Sequence, residues 1–129
     1  MVNTDAQREP LSPTELPEDA ATAVDAALDK KALRVTVLDL RGADAFTDLF
    51  IVCTASNVRQ AQAIADAIEE RLRERGRRMA HIEGYDRAEW VLLDYFDFIV
   101  HVFTADTREF YALERLWGKA PRLELANPA

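Results

Sequence analysis

Metal-binding and disulfide-forming side chains are scarce in this chain of 129 residues, which contains one cysteine and two histidines. The single cysteine, Cys53, cannot form an internal disulfide, and three such side chains are too few for a structural zinc site. No apolar run approaches the roughly 20 residues that cross a bilayer, and the first residues lack the basic and apolar segments of a signal peptide. We therefore expect a soluble protein of the reducing cytoplasm, without a metal or a membrane partner.

The motifs of common catalytic sites are also missing. Ser56 follows a predicted strand but lacks the neighbouring glycines that a nucleophilic serine or a phosphate-binding loop requires. Metal-dependent nucleotidyl transfer needs closely spaced carboxylates, and the nearest substitute is Asp94 with Asp97, which flank a predicted turn. These absences predict a protein that is not an enzyme and uses no cofactor. The alternative is a nucleotidyltransferase-like enzyme that uses Asp94, Asp97 and Ser56.

Acidic side chains outnumber basic ones by 23 to 16, which gives a formal net charge of -7. Nine of the eleven aromatic residues lie between Tyr85 and Trp117, within an acidic C-terminal third. Acidic and aromatic side chains in one region predict a basic protein partner. Five arginines from Arg71 to Arg78 resemble a nucleic-acid patch, but interleaved glutamates favour a solvated helix end. We expect no direct sequence-specific binding of nucleic acid.

Hydrophobic periodicity predicts one domain of the α/β class, with a mixed sheet and the element order αββαβββα. Residues 17–118 are predicted to form this domain. Residues 1–16 have no hydrophobic period and are predicted to be a flexible leader. Residues 119–129 are predicted to be a C-terminal tail.

The first half of the domain contains its clearest elements. Helical spacing after Pro17 predicts the first helix, and alternation over 33–37 predicts a strand with one buried face. The apolar run 49–53 predicts a central strand, which makes Cys53 a buried thiol. A capping pattern at 57–60 predicts a second helix that ends before Gly76.

The second half is predicted to contain a short strand near 79–82 and then a hairpin. With Tyr95 and Phe96 as a two-residue turn, Trp90 opposes His101 and Asp94 opposes Asp97. One face of this hairpin is purely apolar and is predicted to pack on the helices. The other face carries both large apolar and polar groups: Trp90, Leu92, Asp94, Asp97, Ile99, His101 and Phe103.

This mixed face is typical of a protein-binding surface, because such surfaces combine aromatic anchors with a polar rim. The alternative is that another helix or the leader covers it. In the last helix, Phe110, Leu113 and Trp117 are predicted to form the core stripe. Tyr111 and Glu114 then lie nearer to solvent, where Tyr111 can extend the surface.

Three stretches carry a specific combination of motifs. They are DLFIVCTASNVRQAQAIAD at 48–66, HIEGYDRAEWVLLDYFDFIVHVF at 81–103 and TREFYALERLWG at 107–118. Together they resemble the ribosomal silencing factor family, also called Iojap-like proteins, over residues 20–118. Members of that family resemble nucleotidyltransferases in fold but lack the catalytic acids, so the resemblance implies a binding protein.

The resemblance further implies a translational repressor. Family members bind the large ribosomal subunit through its ribosomal protein number fourteen and cover a surface that the small subunit needs for joining. They thereby lower translation when nutrients are short. Some organelle relatives act in large-subunit assembly, which is an alternative function. A homodimer that uses the same apolar surface is a further alternative.

Carried over by position, the contact surface of the family falls on Trp90, Asp94 and Tyr111, with His101 and Glu114 close by. Two residues of the mixed face complete the predicted site. The predicted partner-binding residues are therefore Trp90, Leu92, Asp94, Ile99, His101, Tyr111 and Glu114.

The chain departs from the family pattern at two positions. Ala55 stands where relatives usually have glycine, which further weakens the case for a phosphate site. Phe96 replaces the usual glycine of the hairpin turn. A type I′ turn needs positive φ at both central residues, which phenylalanine resists, so this substitution puts that turn geometry in question.

Overall fold

The computed structural model of the protein describes residue 12 and residues 15–43 and 45–125. The helices are α1 (Glu18–Asp29), α2 (Val58–Glu74), α3 (Ala105–Tyr111) and α4 (Leu113–Leu116). The strands are β1 (Leu33–Asp39), β2 (Leu49–Ala55), β3 (His81–Glu83), β4 (Trp90–Asp94), β5 (Phe98–Thr104) and β6 (Arg122–Glu124). None of the helices in these described ranges is long and apolar enough to span a membrane.

The strands form one six-stranded sheet in the order β3-β4-β5-β2-β1-β6. β2 and β5 pair in parallel at its centre, and the other neighbours pair antiparallel. The sheet is therefore mixed, which confirms the predicted α/β class. β2 is buried along its whole length, as the unbroken apolar run predicts.

Helices α1 and α2 pack on each other and on one face of the sheet. Alternate strand residues such as Ile51 and Val100 meet small or aliphatic residues of the helices, and together they form the large apolar cluster. The predicted cap of α2 is confirmed, because the backbone N–H of Gln60 donates to Asn57 Oδ1 at 2.8 Å. Leu16, within the predicted leader, also packs against this cluster.

The opposite face of the sheet is covered by the short helices α3 and α4. Its apolar cluster is small: Leu38, Leu40, Phe50, Val52, Ile99, Phe103 and Leu113. Polar and charged side chains are buried on the same side of the sheet, including Thr36, Thr54 and His101. β1 is thus covered on both faces from Val35 onward, whereas its sequence pattern predicted one buried face.

The register of the β4–β5 hairpin differs from the prediction by two residues. Trp90 lies opposite Phe103 rather than His101, and Asp94 lies opposite Ile99. The turn residues are Phe96 and Asp97, with Phe96 at φ +80°. Because side chains alternate with a period of two, a shift of two leaves the paired strand residues on their predicted faces. Asp97, which was predicted on the mixed face, instead lies in the turn and pairs with Arg77 at the end of α2.

The C-terminal region differs from the prediction in two further ways. Ala112 adopts a left-handed conformation, with φ 46°, and divides the predicted last helix into α3 and α4. Phe110 was predicted to lie in the core, but in the structure it faces solvent and is 80% exposed. Residues Arg122–Glu124, within the predicted tail, form β6 and pair with β1.

Candidate functional site

Trp90 begins β4 at the edge of the area that α3 covers. Its ring lies 4.6 Å from the ring of Tyr111 and 4.9 Å from that of Phe103, measured between centroids. Gly84, at φ +78°, holds the backbone close to this residue, since a Cβ on Gly84 would overlap the Trp90 carbonyl oxygen. Position 84 therefore requires glycine for both conformation and space.

The buried His101 fixes the orientation of the Trp90 indole. Trp90 Nε1 donates a hydrogen bond to His101 Nδ1 at 3.0 Å. Burial lowers the pKa of His101 from 6.5 to about 4, so the imidazole is neutral at pH 7. Because Nδ1 accepts, the ring proton belongs on Nε2, which is buried without a hydrogen-bond partner among the described residues. The imidazole also makes an edge contact with Phe50, with ring centroids 4.5 Å apart.

Arg108 ties the helix break to the sheet, and its side chain is almost completely buried. Its guanidinium donates to Glu114 Oε2 at 2.5 Å, to the Arg34 carbonyl at 2.6 Å and to Thr54 Oγ1 at 2.9 Å. Arg34 has φ 50° at a bulge in β1, which presents that carbonyl to the guanidinium. One side chain therefore connects α3, α4, β1 and β2.

Glu114 completes this buried pair from α4. Burial alone would raise the pKa of its carboxyl, but the hydrogen bond and the charge of Arg108 outweigh burial and hold that pKa below its ordinary value. The carboxylate is thus ionised at neutral pH and directed inward at Arg108. Glu114 lies near the predicted surface but supports it from within.

The seven predicted site residues fall into two groups. Trp90, Leu92 and Asp94 lie partly exposed along β4, and the side chain of Tyr111 is 50% exposed beside them. Of the other three predicted residues, Ile99 and His101 are buried, and Glu114 is partly exposed but directed inward at Arg108. Ile99 and His101 are buried under α3 and α4, so they support the outer four instead of presenting atoms to a partner.

The sequence interpretation missed three features of this surface. Phe110 and Leu116 are largely exposed on either side of the break at Ala112, and the Phe110 ring contacts that of Tyr111. The buried Arg108 was not singled out from the sequence. The left-handed alanine between Arg108 and Glu114 has no sequence signature, so no sequence signal pointed to this buried pair.

The alternative chemistries find little support in this geometry. No group of three or more His, Cys, Asp or Glu side chains is placed to hold a metal ion in residues 12, 15–43 and 45–125. Burial raises the pKa of the Cys53 thiol to about 12, so the thiol is protonated. The Ser56 backbone N–H donates to Gln60 Oε1, which occupies an amide that a phosphate would need.

The arginines at the end of α2 pair with acids of neighbouring elements. Arg71 pairs with Asp29, Arg75 with Asp19, and Arg77 with both Asp19 and Asp97. The pairing supports the interpretation of a solvated helix end over a nucleic-acid patch.

The fold is a mixed α/β domain with one partly exposed aromatic surface. A family model described as "Ribosomal silencing factor during starvation" matches residues 13–129. The chain belongs to this ribosomal silencing factor family, as the sequence resemblance predicted. The match extends beyond residues 20–118 and includes β6.

Curated and solved relatives agree with this assignment. The chain is 43% identical to "Ribosomal silencing factor RsfS" of Halalkalibacterium halodurans over 89% of its own length and 96% of the relative's. It is 42% identical to the protein of the same name from Bacillus subtilis, covering 82% and 87% of the two chains. A crystal structure from Chromobacterium violaceum superposes with a TM-score of 0.76 at 34% identity, covering 78% of this chain and 84% of the other.

Proposed function

We propose that this protein represses translation in the cytoplasm by binding the large ribosomal subunit through its ribosomal protein number fourteen. The bound domain occupies the surface at which the small subunit joins and requires no catalysis. The observation that carries the proposal is the Trp90–Tyr111 pair, whose two aromatic rings are held together and partly exposed at the edge of α3.

The charges around this pair favour a basic partner. Asp94 lies on the same strand face as Trp90, and Asp106 and Glu109 are exposed on α3. Aromatic anchors dominate the affinity of such interfaces, whereas rim charges mainly speed and orient the encounter. We therefore expect binding to weaken with salt through its association rate and with loss of the rings through its dissociation rate.

The test is sedimentation of the purified protein with separated large and small ribosomal subunits, followed by a subunit-joining assay. We expect selective binding to the large subunit and reduced joining. Tyr111→Ala should cost about 2 kcal/mol of binding, close to 30-fold in Kd, because it removes a central anchor.

The matched control for this experiment is Val58→Ala, which truncates an exposed apolar side chain at the start of α2, in the opposite layer. Circular dichroism checks that both variants fold. Unchanged large-subunit binding by folded Tyr111→Ala protein would place the contact elsewhere, and binding to neither subunit would reject the proposal.

A role in large-subunit assembly is the second candidate. The observation that favours it is 29% identity to the mouse "Mitochondrial assembly of ribosomal large subunit protein 1", over 56% of this chain and 33% of that protein. Sucrose-gradient profiles of cells depleted of this protein separate the two roles. Accumulation of immature large subunits supports assembly, whereas a rise in joined ribosomes under starvation supports silencing.

A further inference from the structure

Two phenylalanines are exposed at the end of the sheet where the β4–β5 turn meets the β1–β2 loop. Phe96 and Phe46 are each 79% exposed, although most large apolar side chains in the described residues are buried. Hydrogen bonds tie their two loops together: Thr47 Oγ1 donates to the Phe96 carbonyl at 2.7 Å, and the Asp48 N–H donates to the Asp97 carbonyl at 3.0 Å. The two aromatic residues therefore belong to one local unit, which we call the phenylalanine tip.

The backbone of Phe96 is strained by its side chain. Its φ of +80° is a conformation that glycine adopts freely and that phenylalanine strongly resists. Asp94 Oδ1 accepts the Phe96 N–H at 2.8 Å and helps to hold this conformation. Because the ring is exposed, burial within the chain does not compensate for the strain. A strained residue at an exposed position suggests a role outside the fold.

The phenylalanine tip continues the surface of Trp90 and Tyr111. Ala45, next to Phe46, packs against the same small cluster as Trp90 and Leu92, which places the β1–β2 loop on that face. Residues 90, 92 and 94 alternate onto this face, and Asp94 lies about 13 Å along the strand from Trp90. An interface of ordinary size, about 800 Å² on each partner, is wide enough to include both ends of β4.

Two acidic residues lie close to the phenylalanine tip in the chain, and a third acid of the turn, Asp97, is paired with Arg77. Asp48 is exposed two residues after Phe46, and Asp94 is partly exposed two residues before Phe96. Exposed aromatic rings are typical of protein interfaces, and neighbouring carboxylates favour a partner with a basic surface.

We propose that Phe46 and Phe96, flanked by Asp48 and Asp94, form a second contact with the basic ribosomal protein. This inference rests on the proposed function, and it adds an anchor to the Trp90–Tyr111 pair. The second anchor widens the interface along the whole of β4 and stabilises the bound orientation of the domain.

The decisive variant is Phe96→Gly, because stability and binding should change in opposite directions. Removal of the strained side chain should raise the melting temperature by about 3 °C. Loss of the aromatic contact should weaken binding to purified large subunits by about tenfold. Phe46→Ser should weaken binding to a similar degree without raising the melting temperature, since Phe46 has no positive φ.

Val58→Ala serves again as the control and should change neither quantity. A Phe96→Gly protein that is more stable than wild type and binds equally well would overturn this inference. Loss of binding by Tyr111→Ala in the same assay would then leave the proposed function intact. If wild-type protein binds no large subunit, the proposed function fails first and this contact fails with it.

Discussion

The two faces of the sheet are covered by different kinds of side chain. Under α1 and α2 the buried side chains are almost all aliphatic, and two long helices cover them. Under α3 and α4 the apolar cluster is small, and it includes or adjoins a neutral histidine, a buried arginine and two threonines. Fixed hydrogen-bond geometry, such as that of Arg108 and Trp90, holds the second face.

The two faces therefore rely on different contacts: one on apolar burial that stabilises the fold, the other on hydrogen bonds that orient side chains. Apolar burial is nondirectional and stabilises the fold without specifying where any one ring points. Buried hydrogen bonds are directional and costly to leave unmade, so they fix orientation. The face that carries Trp90 and Tyr111 is the one held by directional contacts, which the proposed function requires of it.

The strongest test of the difference between the two faces is the same isoleucine-to-alanine substitution made in each cluster. Ile51 and Ile99 lie on the adjacent central strands but face opposite clusters. Ile51→Ala should lower the free energy of unfolding by about 4 kcal/mol, because its well-packed surroundings cannot collapse around the cavity. Ile99→Ala should cost about 2.5 kcal/mol, since the short helices above it can relax. Urea denaturation measures both, and equal values would contradict the contrast.

Replacement of the buried arginine tests the directional contacts. Arg108→Met should lower the free energy of unfolding by about 2 kcal/mol, because it leaves Glu114 and the Arg34 carbonyl without their donor. Hydrogen exchange should speed up in α3 and α4 while α1 and α2 stay protected. Arg73→Met, which breaks an exposed helix pair with Glu69, is the control and should cost under about 0.5 kcal/mol. Uniform exchange across both faces in Arg108→Met would disprove a separate second face.

The smallest expected effect is a pH dependence that only the second face carries. Burial lowers the pKa of His101 to about 4, whereas the unfolded chain has the ordinary value of 6.5. Unfolded chains therefore take up the proton first, and stability contributed by the neutral ring falls as pH drops below 6.5 and levels off near 4. Between pH 7 and 5.5 this loss is about 1 kcal/mol.

The measurement compares wild type with His101→Gln, which does not titrate, in urea denaturation at both pH values. The variant should lose about 1 kcal/mol less than wild type over this range. His81→Gln, which removes the exposed histidine, should behave as wild type does. Parallel curves for wild type and His101→Gln would show that the ring is not buried as described.

The sequence pattern placed side chains on faces more reliably than it placed strands in register. The alternation of Trp90, Leu92 and Asp94 predicted the correct face although the predicted turn was displaced by one residue. Alternation depends only on the pleat, whereas register depends on which residue takes positive φ. Phenylalanine gives no sign that it will do so, and Phe96 adopts that conformation because Asp94 and Thr47 hold the turn.

In the helix that carries Tyr111, the sequence pattern predicted the wrong buried face. A regular helical period predicted Phe110 as core, and one left-handed alanine at position 112 reverses that result. The break is stabilised by tertiary contacts of Arg108, which local propensity cannot report. β6 was missed for a related reason, because three residues pair with β1 only after the rest of the sheet exists.

The parallel pair at the centre of the sheet also sets the order of events during synthesis. β2 ends at Ala55, and its parallel neighbour begins only at Phe98, so more than forty residues must be added before they can meet. Until then the most apolar strand of the chain has an unpaired edge, which is a hazard for aggregation. Early completion of α1, β1 and α2 offers this strand an antiparallel neighbour and a helical cover while the rest of the chain is still being made.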